Sequence, residues 1–125
     1  MTHADAYRRH DADRRFLMSR EWRERIRPRQ LGMQPLCEFC QMMGRVRKAD
    51  HVDHIERPKG RRELQISFSN FRSLCVDCHA RKTAWERRAD GTDLVIGHDT
   101  AGWPITITSG GGIQSENRVA AKPAP

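Results

Sequence analysis

Cys37-Glu38-Phe39-Cys40 and Cys75-Val76-Asp77-Cys78 are two Cys-x-x-Cys pairs with the 34 residues 41–74 between them. Each pair can present two thiolates to one ion from a tight turn. Two pairs complete a tetrahedral all-thiolate shell, the arrangement suited to Zn²⁺. The chain has 4 cysteines, so none is left over. A shell closed by four cysteines has no open position, so the predicted zinc is structural. The rival readings are an iron–sulfur cluster and a redox pair. A thioredoxin-like pair needs a βαβ pattern around it, and none is found. The gap exceeds the roughly 15–20 residues of a common zinc ribbon. The metal is therefore predicted to clamp the two ends of an inserted unit, and that unit is where chemistry is sought.

Working outward, 125 residues suffice for one domain and are short for two. Hydrophobic residues make up 37%, below the roughly 45–50% of ordinary domains. Such a small core calls for a staple, which the metal supplies. No apolar run approaches the ~18 residues of a membrane span, and the N-terminus lacks a signal-peptide core. A reducing, cytoplasmic setting is expected, where cysteines favour metal over disulfides.

Charge is uneven. Residues 1–44 hold nine Lys/Arg against six Asp/Glu, residues 45–88 twelve against six, and residues 89–125 two against four. The middle segment is the basic one. A basic surface attracts polyanions, nucleic acid above all, although a solvated face that only aids solubility has the same composition.

Residues 1–18 mix charges with little apolar content and are expected to form a flexible basic arm. Ser19 can cap a helix from Arg20 to about Gln30, with Trp22 and Ile26 on one face and Pro28 as a kink or stop. Val46–Ile55 and Leu64–Phe68 read as strands, with a Pro58-Lys59-Gly60 turn between them. Ser69-Asn70 opens a loop, and Asp77–Arg88 reads as a helix with His79, Lys82 and Glu86 on one side. Leu94–Ile96 and Pro104–Ile107 suit short extended pieces around a turn. The Gly/Ala/Pro-rich residues 109–125 have nothing to bury and are expected to be disordered, leaving 19–108 as the folded domain.

Between and after the cysteine pairs stand Val52-Asp53-His54-Ile55, Asn70-Phe71-Arg72-Ser73-Leu74-Cys75 and Cys78-His79-Ala80-Arg81-Lys82-Thr83. Taken singly, each is open to a plain reading. Asp53-His54 suits an exposed strand end, and Asn70 suits a turn or cap. His79 suits a solvent-facing helix residue or a rival zinc ligand to Cys78. His51, two residues before Asp53, suits either a residue lining the site or an exposed one, and is expected to be exposed. Together, in this order, the pieces resemble the HNH endonuclease family, and especially small phage-encoded HNH proteins with a four-cysteine zinc site.

That resemblance implies an α+β fold: a zinc-stapled ββα-metal domain with an N-terminal helix and disordered tails. It implies that Asp53 and His79 hold one catalytic divalent ion, Mg²⁺, Mn²⁺ or Ni²⁺. It implies His54 as general base and Asn70 as the residue that orients the loop carrying the base. The ion would bind a non-bridging phosphate oxygen and the leaving 3′ oxygen, while His54 takes a proton from the attacking water. The chemistry agrees with this assignment: phosphodiester hydrolysis needs a Lewis acid with open positions and a base that titrates near neutrality. One tension stands. Adjacent residues of a regular strand face opposite ways, so the strand must end or bulge at Asp53-His54 for both to serve one site.

The similarity extends over about 19–104, including Glu21-Trp22-Arg23 and Gly102-Trp103-Pro104. Such phage proteins often sit near DNA-packaging genes and can act with the large terminase subunit, so the implied partners are DNA and, in phage DNA packaging, the terminase, with the host cytoplasm as the implied setting. After Ile55 many relatives carry a Pro-His-x-Gly-Asp-like turn. Here it is Glu56-Arg57-Pro58-Lys59-Gly60-Arg61, whose basic character favours phosphate contact. The expected DNA-contacting residues are Arg57, Lys59, Arg61, Arg62, Arg72, Arg81 and Lys82. The competing readings are a non-catalytic zinc-stapled DNA-binding module and a packaging adaptor. The DNA-binding module gives Asp53, His54 and His79 no reason to converge, whereas the adaptor would carry them as vestigial chemistry.

Overall fold

The computed structural model describes residues 2–88, 90–108 and 112–115. In chain order the elements are helix α1 (His3–Leu17), a π-helical turn (Glu21–Ile26), α2 (Arg27–Met33), α3 (Glu38–Met42), strand β1 (His51–His54), α4 (Arg62–Ile66), a 3-10 turn (Phe68–Asn70), β2 (Phe71–Leu74), α5 (Val76–Arg88), β3 (Leu94–His98), β4 (Pro104–Ile107) and β5 (Ile113–Ser115). β1 and β2 pair antiparallel, His51 opposite Leu74 and His54 opposite Phe71. β3, β4 and β5 form a second antiparallel sheet.

Two apolar clusters flank the β1–β2 hairpin. The larger contains the four cysteines with Phe39, Leu74, Trp85, Ile96, Ile105 and Ile107. The knuckles thus sit inside the core that joins α3, α5 and the second sheet. The Trp85 indole closes one edge, donating to the Thr92 carbonyl at 2.6 Å. At the bulge in β3, a Cβ on Gly97 would lie 2.2 Å from Met43 Sδ, so a side chain there would displace the Met43 thioether. The smaller cluster is Phe16, Trp22, Ile26 and Phe71, with Val52 and Phe68 packed against it.

Several expectations change. The arm expected at 1–18 is helical from His3 to Leu17. Thr2 Oγ1 accepts from the Asp5 backbone N–H at 3.1 Å, Asp5 sits in the first turn and Arg14 and Arg15 in the last, and Phe16 packs on Trp22. Ser19 does accept from the Trp22 N–H, at 3.2 Å. Pro28, expected to kink or end this helix, opens α2 instead. It has no N–H to donate, and just before it the Arg27 N–H reaches back five residues to the Trp22 carbonyl, widening the helix to a π turn.

Leu64–Phe68, read as a strand from its alternation, is instead α4 followed by the 3-10 turn. Arg-Glu-Leu-Gln-Ile holds good helix formers, and the strand that pairs with β1 comes later, at Phe71–Leu74. The strand expected over Val46–Ile55 is regular only at His51–His54, with an isolated bridge from Lys48 to Leu36. Of the tail expected to be disordered, Ile113–Ser115 pairs with β4. Residues 109–111 and 116–125 lie outside the described residues. The helix at Asp77–Arg88 and the two extended pieces stand as α5, β3 and β4. Among the described residues, no helix is long and apolar enough to cross a membrane.

Candidate metal centres and active site

Cys37 immediately precedes α3 and Cys40 lies within it, while Cys75 immediately precedes α5 and Cys78 falls in its first turn. Both knuckles therefore meet where helices begin. The four ligand sulfurs lie within 4.8 Å of one another. Cys40 Sγ is 3.9 Å from Cys75 Sγ and 3.8 Å from Cys78 Sγ. Tetrahedral Zn–S bonds of about 2.3 Å require S···S edges of about 3.8 Å. The donor set therefore fits zinc. All four are buried. Burial pushes the Cys40 thiol up to about 11 and raises Cys78 too. Burial also raises Cys75, but the Cys78 backbone N–H and the neighbouring thiols outweigh it, and the net direction is down. Buried thiols resist ionising together, and a divalent cation removes that resistance.

β1 carries the second constellation. Its His51 and Asp53 side chains meet α5: the His51 ring stacks on His79 with centroids 4.3 Å apart, and Asp53 pairs with Lys82. Val52 and His54 meet the aromatic cluster. The His54 ring stacks on Trp22 at 5.6 Å and meets Phe71 edge-on at 5.3 Å. Strand alternation is thus kept. It ends at His54, and one cleft of about 190 Å³ is lined by both Asp53 and His54, with Arg57, Gln65, Glu86 and the α1 residues His10, Asp13, Arg14 and Phe16.

His54 Nε2 lies 3.1 Å from the Gln65 carbonyl oxygen. A carbonyl only accepts, so Nε2 carries the hydrogen and Nδ1 keeps the lone pair. Asn70 is buried behind this loop. Its Oδ1 accepts from the Glu56 N–H at 2.8 Å, and its Nδ2 donates to the Glu56 and Leu64 carbonyls at 3.0 and 2.9 Å. The Ile55 N–H donates to the Asn70 carbonyl at 2.8 Å, so the side chain and backbone of one residue hold the chain that leaves β1.

His79 does not line the cleft. Burial lowers its pKa, with the Asp53 carboxylate acting the other way and His51 and Lys82 adding to the fall. One imidazole and one carboxylate are donor types that a divalent ion accepts. His51, expected to be exposed, is half-buried in the stack.

The family model for HNH endonucleases matches residues 37–84. No curated protein matches. The crystal structure of the HNH endonuclease of the deep-sea thermophilic bacteriophage GVE2, solved with a manganese ion, is similar at 35% identity. The match covers 73% of this chain and 99% of that one, with a TM-score of 0.62. The chain belongs to the HNH endonuclease family. It is a nuclease by family and an α+β domain built around a four-cysteine cluster.

Within this HNH domain the basic residues divide. Arg57, Lys59, Arg61 and Arg62 are exposed, although Arg61 pairs with Glu56 at 2.9 Å and Arg62 with Glu21 at 2.7 Å. Arg72 and Lys82, expected at the DNA, are 3% and 1% exposed. Arg72 lies over the Phe39 ring and faces Glu38 at 3.8 Å. Its place in β2 turns it into the core. Lys82 lies between Asp53 and Glu86, its Nζ 3.4 Å from the latter, because its face of α5 packs on β1. Arg81 is exposed, but its guanidinium donates to the Val95 and Ile96 carbonyls and ties α5 to β3.

Three further participants went unread in the sequence: Trp22 beneath His54, the Gln65 carbonyl, and Lys82 as the partner of Asp53. The only signal was the helical spacing of His79, Lys82 and Glu86. Lys82→Met should lower stability by about 3 kcal/mol, because it leaves two mostly buried carboxylates without their cation. Thermal melting checks this, and an unchanged melt would mean the pair contributes nothing.

Proposed function

We propose that this HNH endonuclease hydrolyses DNA phosphodiester bonds, nicking or cutting the duplex to leave 5′-phosphate and 3′-hydroxyl ends. His54 is the general base, Asp53 and His79 are the protein ligands of one divalent ion, and Asn70 positions the loop behind the base. The observation that carries this reading is the tautomer-fixed His54 in a cleft that Asp53 also lines.

The Nε2–H bond to Gln65 and the stacked Trp22 ring fix the imidazole, so that Nδ1 receives the proton of the attacking water. Asp53 and His79 together offer one carboxylate and one imidazole, which leaves most positions of Mg²⁺, Mn²⁺ or Ni²⁺ open. A divalent ion bound there supplies Lewis-acid charge to the phosphate and the leaving oxygen. Lys82 holds the Asp53 carboxylate from the protein side. The zinc of the four cysteines is a separate and structural group, and its thiolates suit a reducing compartment such as the cytoplasm.

Incubating the zinc-loaded protein with supercoiled plasmid and each of the three divalent ions tests the activity. Relaxed or linear product is expected. No product with any of them would favour a zinc-stapled DNA-binding module. Asn70→Ala should slow nicking on the order of 10²-fold, since misplacing a base by about 1 Å costs that much. Its zinc content should be unchanged, and single-turnover rates read the effect. Action beside a large terminase is a finer form of the same proposal. It is supported by the leader around Glu21-Trp22-Arg23 and by Gly102-Trp103-Pro104, and co-purification with the terminase tests it.

A further inference from the structure

We propose that α1 and the Lys59-Gly60-Arg61 turn form a phosphate-binding cleft that holds the DNA backbone beside the cleavage site. The proposal rests on the nuclease reading for its ligand and goes beyond it in assigning α1, which precedes the residues matched by the family model. A cleft of about 530 Å³ is lined by Arg8, Arg9, Ala12, Lys59, Gly60 and Arg61. Four of these six carry a positive charge and none a negative one, so the cleft selects an anion. Its volume is far larger than a single phosphate group, and its cations lie on both walls, as a polymer backbone requires.

The two walls are held together. Asp13 of α1 accepts from the Gly60 N–H at 3.0 Å and from Gln65 Nε2 at 2.9 Å. Gly60 takes a positive φ of 83°, and a Cβ there would meet Arg9 Cγ at 3.4 Å, so the turn lies directly on the helix. Gln65 also accepts from His54, so one residue links the docking of α1 to the orientation of the base.

α1 runs on from this cleft to the next. Its His10, Asp13, Arg14 and Phe16 line the cleft that contains Asp53 and His54. From Arg9 to Asp13 or Phe16 the helix rises about 6–10 Å at ~1.5 Å per residue. Measured along a duplex axis, that is the rise of two to three nucleotides at about 3.4 Å each. The cleft therefore suits phosphates a short step from the scissile one. Arg8 pairs with Asp5, and Arg61 with Glu56, in exposed ion pairs. Such pairs contribute only about 0–1 kcal/mol, so a phosphate can displace the carboxylates.

The test is fluorescence anisotropy of a labelled duplex with the full, zinc-loaded chain and no added catalytic ion, across a range of salt. The triple variant Arg8→Gln, Lys59→Gln, Arg61→Gln should bind more weakly. Its plot of log affinity against log salt should be shallower by about 2–3, near 0.9 for each lost contact. Ala12→Glu, which removes no contact and places a carboxylate in the cleft, should weaken binding several-fold with an unchanged melt. Arg45→Gln, Arg87→Gln, Arg88→Gln removes the same charge from exposed positions outside both clefts and should leave the slope nearly as it was. Wild-type slope and affinity in the first two variants would overturn the cleft, as would an equal loss in the third. Wild-type binding without nicking under any divalent ion would sink the nuclease reading instead, and the binding comparison would still decide the cleft.

Discussion

Removing zinc with a chelator, or replacing Cys37 by Ser, is expected to abolish the cooperative melt of the protein. The four cysteines are not an appendage. They share the larger core with Phe39, Leu74, Trp85, Ile96, Ile105 and Ile107. Structural zinc sites contribute roughly 10–16 kcal/mol, whereas a whole domain is stable by only about 5–15 kcal/mol. Without the ion, four buried thiols face one another at close range. Those thiols also hold α3 and α5 together, and the β1–β2 hairpin lies between these helices in sequence. Circular dichroism with temperature, before and after chelation, measures the effect. A chelated chain that kept its transition would exclude a structural zinc.

What the sequence made legible was what short-range pattern carries. The cysteine spacing, Val52-Asp53-His54-Ile55, and the α5 helix with His79 all stand where they were read. α1 was misread because its charged residues hide its buried anchor, Phe16, near the end. The cap Thr2 and the acidic Asp5 three residues on were the signal available. α4 was misread because Leu64, Ile66 and Phe68 alternate like a strand, and five residues are too few for a helical period to declare itself. The buried cations Arg72 and Lys82 could not be told from surface ones. Their burial depends on Glu38 and Asp53, which lie 34 and 29 positions away in the chain. At Asp53-His54 the strand keeps its alternation: Asp53 meets Lys82 of α5, His54 meets the aromatic cluster, regular pairing stops at His54, and Asn70 holds the turn that follows.

His54→Ala is expected to lower plasmid nicking by about 10²–10⁴-fold, the range lost with a general base, while zinc content, melting and DNA affinity stay close to those of the parent protein. The base acts on the attacking water, so its loss appears in the chemical step and not in ground-state binding. The ring does pack on Trp22 and Phe71, and a modest fall in melting temperature would reflect that contact. His54→Gln keeps more of the volume and separates packing from proton transfer. His79→Ala and Asp53→Ala should behave differently. Each removes a proposed ligand of the divalent ion, so each should regain part of its activity at high Mn²⁺ or Mg²⁺, and Mn²⁺ titration followed by electron paramagnetic resonance should show weaker binding. His54→Ala should regain nothing under the same titration, because added metal does not replace a proton acceptor. Nicking by zinc-loaded His54→Ala near the wild-type rate would exclude His54 as the base. Rescue of His54→Ala but not of His79→Ala would exchange the two roles, making His54 the metal ligand and His79 the base.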